Sequence, residues 1–307
     1  MFVSSNPHIR YNQTTTGIML LVIVALLPVT GFGIYNFGLN ALILVLTSVA
    51  ACFATEYLFG LYLKKKTVDD LSCIVTGLLL ALNLPPKAPW WVAVLGGVFA
   101  ILVVKLLFGG LGQNFMNPAL AARCFLLISF PNIMTDFNCD AYTGATPLAL
   151  LKNGEFDKVN VMNMVTGKIS GTIGETSMIA IVIGACILIM FEVIDLKIPA
   201  SYIISFIVFV IIFGGHGFEW SYISAHLAGG GLMLGAFFMA TDYVTRPITS
   251  KGQIIFGIFL GIMTGIFRIF GPGAEGVSYA IIIGNLLVPL IEKISMPKAF
   301  GERSAAK

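Results

Sequence analysis

Within the nine residues Asp140-Ala-Tyr-Thr-Gly-Ala-Thr-Pro-Leu148, the chain gathers a carboxylate, two threonine hydroxyls and two small residues. Gly144 and Ala145 leave the N-terminal side of the Thr146 hydroxyl free of bulk. Pro147 confines the Thr146 backbone to extended conformations, away from a helix. No base or triad partner stands nearby, so Thr146 is a weak nucleophile on its own account. What the stretch offers is an acceptor oxygen, led by Asp140 and Thr143, that a second enzyme can esterify. The same residues also read as a turn into the short helix "PLALLKNG", with Thr146 as N-cap and Pro147 as first residue.

Other polar residues stand out because the chain around them is apolar. Asn114 and Asn117, in "GQNFMNPA", can cap the helix that follows or bond the edge of a planar ring. Arg123 and Asp242 sit beside interrupted helices, where they can meet a ligand or ion or form a local salt bridge. Glu56, Glu192 and Asp195 also fall in or near apolar segments, where charge is costly and usually functional. Near Glu192, Asp195 and Lys197, a helix end with solvated ion pairs explains the charges equally well. Cys52, Cys73, Cys124 and Cys186 read as packing residues of apolar segments, and Cys139 stands alone in a polar loop. No CxxC pair occurs, and His8, His216 and His226 have no partners at helical spacing. A self-contained iron–sulfur or zinc site is therefore not expected; a cysteine serving a cluster shared with another subunit stays open.

These residues must be held by membrane helices. The 307 residues are 57% hydrophobic and 11% charged, against about 25% charged in an ordinary soluble domain. Mean hydropathy is +0.93. A hydrocarbon core of ~30 Å takes about 20 apolar residues per helix. Hydropathy predicts ten segments, near 17–35, 39–63, 71–84, 90–108, 115–130, 176–194, 199–213, 222–240, 253–270 and 277–294. The first is expected to be retained, since no small-residue cleavage site follows Arg10. Placing both termini in the cytoplasm puts thirteen of the eighteen Lys and Arg residues on the inner side and five on the outer. That is the positive-inside bias. It predicts a multi-pass protein of the inner (plasma) membrane, in contact with lipid and with no nucleic-acid partner, whose 131–175 loop faces out. Trp90, Trp91 and Trp220 fall at outer segment starts, where interfacial anchoring accounts for them.

Two halves echo each other. "TGLLLALNLPP" (76–86) resembles "GLMLGAFFMATDYVTRP" (231–247), and "FGGLGQNFMNPALAA" (108–122) resembles "FGPGAEGVSYAIII" (270–283). The fold class expected is an all-α polytopic membrane protein of about ten transmembrane helices, built as two inverted five-helix repeats with broken helices. The first repeat covers 1–130, the outer loop 131–175 and the second repeat 176–307. Gly- and Pro-interrupted helices in matching places are where such folds bind their ligands; the glycines also serve plain close packing.

The residues Asp140 to Leu148 fit the D-x-x-(S/T)-(G/A)-A-T pattern on which a flavin transferase esterifies threonine with FMN. Together with "GLLLALNLPP", "GQNFMNPALAAR", "FFMATDYVTRP" and "GPGAEGVSYAIIIGNLLVPLIE", the chain resembles the NqrB/RnfD family over nearly its whole length. Only 16 residues precede the first segment, which favours the Rnf branch over the quinone-reducing branch. The resemblance implies an electron-transfer subunit of an ion-translocating ferredoxin:NAD oxidoreductase, an oxidoreductase and translocase moving Na⁺ or H⁺. Thr146 would carry covalent FMN through a phosphoester bond, added outside the cytoplasm by the flavin transferase. Asp140, Thr143, Gly144 and Ala145 would form the attachment motif. A second, non-covalent flavin such as riboflavin is implied between the broken helices, with Asn114, Asn117, Arg123 and Asp242 as flavin or ion contacts. The partners implied are Rnf subunits A, B, C, E and G. Two alternatives stay open: the quinone-reducing subunit of the sodium-pumping NADH dehydrogenase, and an inverted-repeat permease or channel.

Overall fold

The structure, a computed structural model, describes residues 14–64, 68–137, 146–154, 159–271 and 276–297. The described residues form helices and connections, without strands. In chain order the helices are α1 (Thr15–Phe37), α2 (Leu39–Leu63), α3 (Ser72–Leu82), α4 (Trp90–Leu106), α5 (Pro118–Ser129), α6 (Pro131–Met134) and α7 (Pro147–Lys152). Then follow α8 (Val161–Thr166), α9 (Met178–Met190), α10 (Lys197–Phe213), α11 (Trp220–Ala228), α12 (Leu232–Met239), α13 (Ser250–Ile269) and α14 (Val277–Ser295).

Four of these, α1, α2, α13 and α14, are long and apolar enough to cross a membrane alone. At 1.5 Å per residue the 25 residues of α2 reach ~37 Å, beyond the ~30 Å hydrocarbon core. The 11 residues of α3 reach only ~16 Å. Hydropathy predicts a span over 71–84, but the helix stops at Leu82 because Pro85 and Pro86 follow and Asn83 already turns the chain. The segment predicted at 222–240 is a broken pair, α11 and α12, bent by 63°. The break is Gly229-Gly230-Gly231, with Gly230 and Gly231 at φ of +66° and +65°. A membrane protein results in which full spans pack with shorter helices.

Packing follows from small residues. On α13, Gly257 and Gly261 bring the helix against the backbone of α10, where a Cβ at Gly261 would meet Tyr202 O at 2.7 Å. Such approach is the usual way membrane helices gain dispersion contacts when lipid is as apolar as the interface. Helix α2 lies against α3 and α4 as α10 lies against α13, and α1 packs on α9 while α5 packs on α14. Asn117 starts α5 by accepting from the Ala119 and Leu120 amides, with Pro118 in the first turn, as the sequence predicts for a cap.

Candidate functional site

Two cavities lie between these helices. The first is close to Thr146. The Thr146 hydroxyl caps α7, accepting from the Ala149 amide at 3.4 Å, so the capping expected from the sequence is present. Thr146 also lines a cavity of about 290 Å³, counting its open mouth, together with Leu148, Ser170, Gly171, Glu175, Gly229 and Gly230. The helix break and the threonine thus share one wall. A Cβ at Gly230 would fall inside the contact radius of Leu148, and one at Gly231 inside that of the Glu175 carboxylate. Only glycine at those positions leaves room for both. Asp140, Thr143, Gly144 and Ala145 lie outside the described residues.

Opposite charges meet the two ends of the break. Arg268 of α13 is buried; it donates to the carbonyls of His226, Gly229 (2.8 Å) and Gly230 (3.0 Å), at the carbonyl end of α11. A cation there satisfies otherwise unpaired carbonyls and complements the helix dipole. Glu175 lies against Gly231, where α12 begins. Its carboxylate is held by Arg123 of α5, Nη1 to Oε1 at 3.3 Å. The same Nη1 donates to Asn83 Oδ1 at 2.7 Å and to Ser278 Oγ of α14 at 3.1 Å. The sequence places Arg123 and Asp242 alike beside broken helices; in the structure Arg123 pairs with Glu175, which lines the Thr146 cavity, and Asp242 lines the second cavity.

The second cavity, about 770 Å³ with its mouth, is lined by Asn114, Asn117, Thr241 and Asp242, by Ser72 and Lys105, and by apolar residues that include Ile18, Val22, Leu79, Leu188 and Phe238. Here Asn114, Asn117 and Asp242 do come together. Asn117 donates to Met239 O at 3.4 Å, tying α5 to the end of α12. Asp242 accepts from Thr245 Oγ1 at 3.2 Å. Behind the Lys105 wall lies a buried ion pair. Lys105 Nζ reaches both Glu56 oxygens at 2.7 Å and Ser72 Oγ at 2.5 Å. Glu56 is 0% exposed and Lys105 2%. Ser72 Oγ in turn donates to Asp70 Oδ1 at 2.6 Å.

Sequence reasoning names Glu56 without its partner and misses Glu175. It also counts Lys105, Arg123 and Arg268 as charges at helix ends, whereas all three are buried. Removing them leaves eleven Lys and Arg against four in the sidedness count, and the bias keeps its sign. The need of a buried Arg123 for a counter-ion, and the acidic residue in the small-residue run "SGTIGETS", were the available signals for Glu175. Cys52, Cys73 and Cys124 are buried as packing residues, but Cys186 is exposed on α9. Trp90 and Trp220 are exposed, while Trp91 packs edge-on against Phe130.

A flavin can be tested against both cavities. Small-molecule sites combine apolar walls with a few convergent polar groups. The larger cavity meets that description, with apolar side chains on its walls and Asn114, Asn117, Thr241 and Asp242 at its polar edge. The cavity at Thr146 is far smaller, with room for little more than a water molecule; it offers an exposed wall at Gly171, where a Cβ would meet nothing within 4 Å, and not a pocket for a flavin ring. The larger cavity fits the group.

Full spans, half-length helices and a bent pair define an all-helical polytopic membrane protein. The chain belongs to the NQR2, RnfD, RnfE family, which it matches over residues 2–301. It is 48% identical to the D-type subunit of the Na(+)-translocating ferredoxin:NAD(+) oxidoreductase complex of Acetobacterium woodii, over 97% of this chain and 95% of that one. It is 40% identical to the D-type subunit of the proton-translocating ferredoxin:NAD(+) oxidoreductase complex of Clostridium ljungdahlii, over 98% of this chain and 96% of that one. To the D-type subunit of the ion-translocating oxidoreductase complex of Stutzerimonas stutzeri it is 36% identical, over 94% and 93%.

Proposed function

We propose that this chain is the D-type subunit of an ion-translocating ferredoxin:NAD oxidoreductase and carries covalent FMN on Thr146. One observation carries the reading. The hydroxyl that fits the transferase pattern belongs to a residue lining a small cavity beside the helix break, in a chain whose relatives are named as such subunits along nearly their full length. The flavin supplies one- and two-electron redox chemistry; the protein supplies position, exclusion of water and the local field. Thr146 would hold the phosphate through its Oγ1, which in the free chain accepts from the Ala149 amide. Arg268 would keep the carbonyls of the neighbouring glycine break satisfied, and Arg123 would hold the Glu175 carboxylate.

The larger cavity would take a second flavin without a covalent bond. Asn114, Asn117 and Asp242 would supply its polar contacts and the apolar lining residues of α1, α3 and α9 its packing. The membrane arrangement belongs to the same reading: ten membrane segments, among them half-length helices such as α3 and the broken α11–α12 pair, as two inverted five-helix repeats (1–130 and 176–307), termini in the cytoplasm of a plasma-membrane protein. Loop 131–175 then lies outside, where a flavin transferase reaches it. The matched packing of α2 on α4 and of α10 on α13 supports the repeat, and the charge count supports the sidedness. Subunits A, B, C, E and G are its partners.

Thr146→Ala tests the attachment. The denatured subunit should fluoresce as a flavoprotein band in the parent and be dark in the variant. A variant band as bright as the parent's overturns the assignment.

A further inference from the structure

We propose that Asp70 and Ser72 form a two-residue proton relay from the protein surface into the larger cavity, with Lys105, locked by Glu56, holding the hydroxyl in place. The inference rests on the reading of that cavity as a flavin site and adds a route for the protons that flavin reduction consumes.

Ser72 stands at the junction. It is buried and lines the larger cavity. Its Oγ donates to Asp70 Oδ1 at 2.6 Å and accepts from Lys105 Nζ at 2.5 Å. Asp70 ends the short turn Val68–Asp70 ahead of α3; it is partly exposed and follows the exposed Asp69. One hydroxyl thus separates a carboxylate within reach of water from a cavity inside the helix bundle. In the proposed orientation that turn lies on the cytoplasmic side.

An electron added to a ring in an apolar cavity puts negative charge where water cannot solvate it, and uptake of a proton removes that cost. Lys105 is the one cation among the described residues lining the cavity. Its three N–H donors are all engaged, by the two Glu56 oxygens and by Ser72, so it serves as a fixed charge and not as a carrier. The relay moves one proton per electron, the electron coming from a one-electron donor in the complex. Ser72 Oγ–H turns from Asp70 to the cavity and gives its proton to the reduced ring. Oγ takes the proton of the Asp70 carboxyl, and Asp70 recovers one from water. Lys105 keeps its bond to Oγ throughout and opposes the charge that develops on that oxygen. The groups facing the relay are Glu56 and Cys52 of α2, Cys73 of α3 and Lys105 of α4; α1 brings the Thr16 hydroxyl, which donates to the Asp69 carbonyl.

The test uses the full-length subunit carrying Thr146→Ala, so that its flavin reports the larger cavity alone. Pulsed reduction by a one-electron radical donor in solution separates electron arrival from protonation of the ring, because the two forms absorb differently. Asp70→Asn keeps an oxygen for the Ser72 amide, which now donates to Oδ1 at 3.0 Å, and removes the exchangeable proton. It should leave flavin content and electron arrival as in the Thr146→Ala chain and slow ring protonation about 100-fold, the low end of what a positioned proton donor supplies. Ser72→Ala should slow it to the same degree. Asp70→Glu, or formate added to Asp70→Asn, should restore most of the rate. If Ser72→Ala loses its flavin, the Asp70→Asn arm still decides. Protonation at the unaltered rate in Asp70→Asn, with or without a fall in stability, overturns the relay while leaving the flavin site intact. A chain that releases no flavin on denaturation overturns the relay and the second-flavin reading together.

Discussion

Replacing Lys105 by Met would strand the Glu56 carboxylate in a place that is 0% exposed. In the structure that carboxylate has a lysine ammonium 2.7 Å from each oxygen. Removing one partner of such a pair costs ~3–5 kcal/mol, because the remaining charge must stay buried alone or be neutralised. At roughly 2–4 °C per kcal/mol for chains of a few hundred residues, Lys105→Met should lower the apparent Tm by roughly 6–20 °C. The structure adds a second condition. Ser72 Oγ keeps Asp70 as acceptor at 2.6 Å when Lys105 is gone, so no further hydroxyl is orphaned. Replacing both charged residues by Met should therefore recover most of the loss, since apolar substitutes for a whole buried pair are often neutral or stabilising. Heating the detergent-solubilised subunit in steps and measuring the folded fraction by size exclusion gives both numbers. A Lys105→Met protein as stable as the parent, or a Glu56→Met/Lys105→Met protein as unstable as the single variant, would refute the reasoning.

Gly230→Ala should cost ~1–2 kcal/mol for a left-handed backbone at φ +66° and about 1–3 kcal/mol more for crowding Leu148 and Arg268. Covalent flavin per chain should fall with it by more than half, because Leu148 and Thr146 share one wall; unchanged content and Tm would count against that packing. Asn117→Ala removes the α5 cap, at ~1 kcal/mol, and a lining group of the larger cavity. Flavin released on denaturation should drop severalfold while flavin fixed to the chain stays constant, and an undiminished released fraction would remove Asn117 from that site.

Much of the site was legible because polar residues in an apolar chain are conspicuous. Thr146 announces itself through its small neighbours and Pro147, and Asn114 and Asn117 through the turn they punctuate. Asp242 follows from its place at a helix break. The helix lengths were less legible. A hydropathy window counts Leu84 and its flanking prolines as apolar whether or not the backbone there is helical, so the half-length α3 reads as a span. Arg268 and Lys105 look like interfacial charges because each stands near the end of an apolar run; their burial depends on α11 and α2, far away in the chain. Glu175 was hidden for the same reason. Its meaning lies in Arg123, 52 residues earlier, and in the missing Cβ of Gly231.

The attachment itself is decided most directly by mass spectrometry of the proteolytic peptide that contains Thr146, taken from the full-length subunit purified from membranes. The account requires that peptide to carry the mass of FMN less one water, with fragmentation placing the addition on Thr146 and not on Thr143. A peptide recovered unmodified in stoichiometric yield, or an adduct on any other residue, contradicts it.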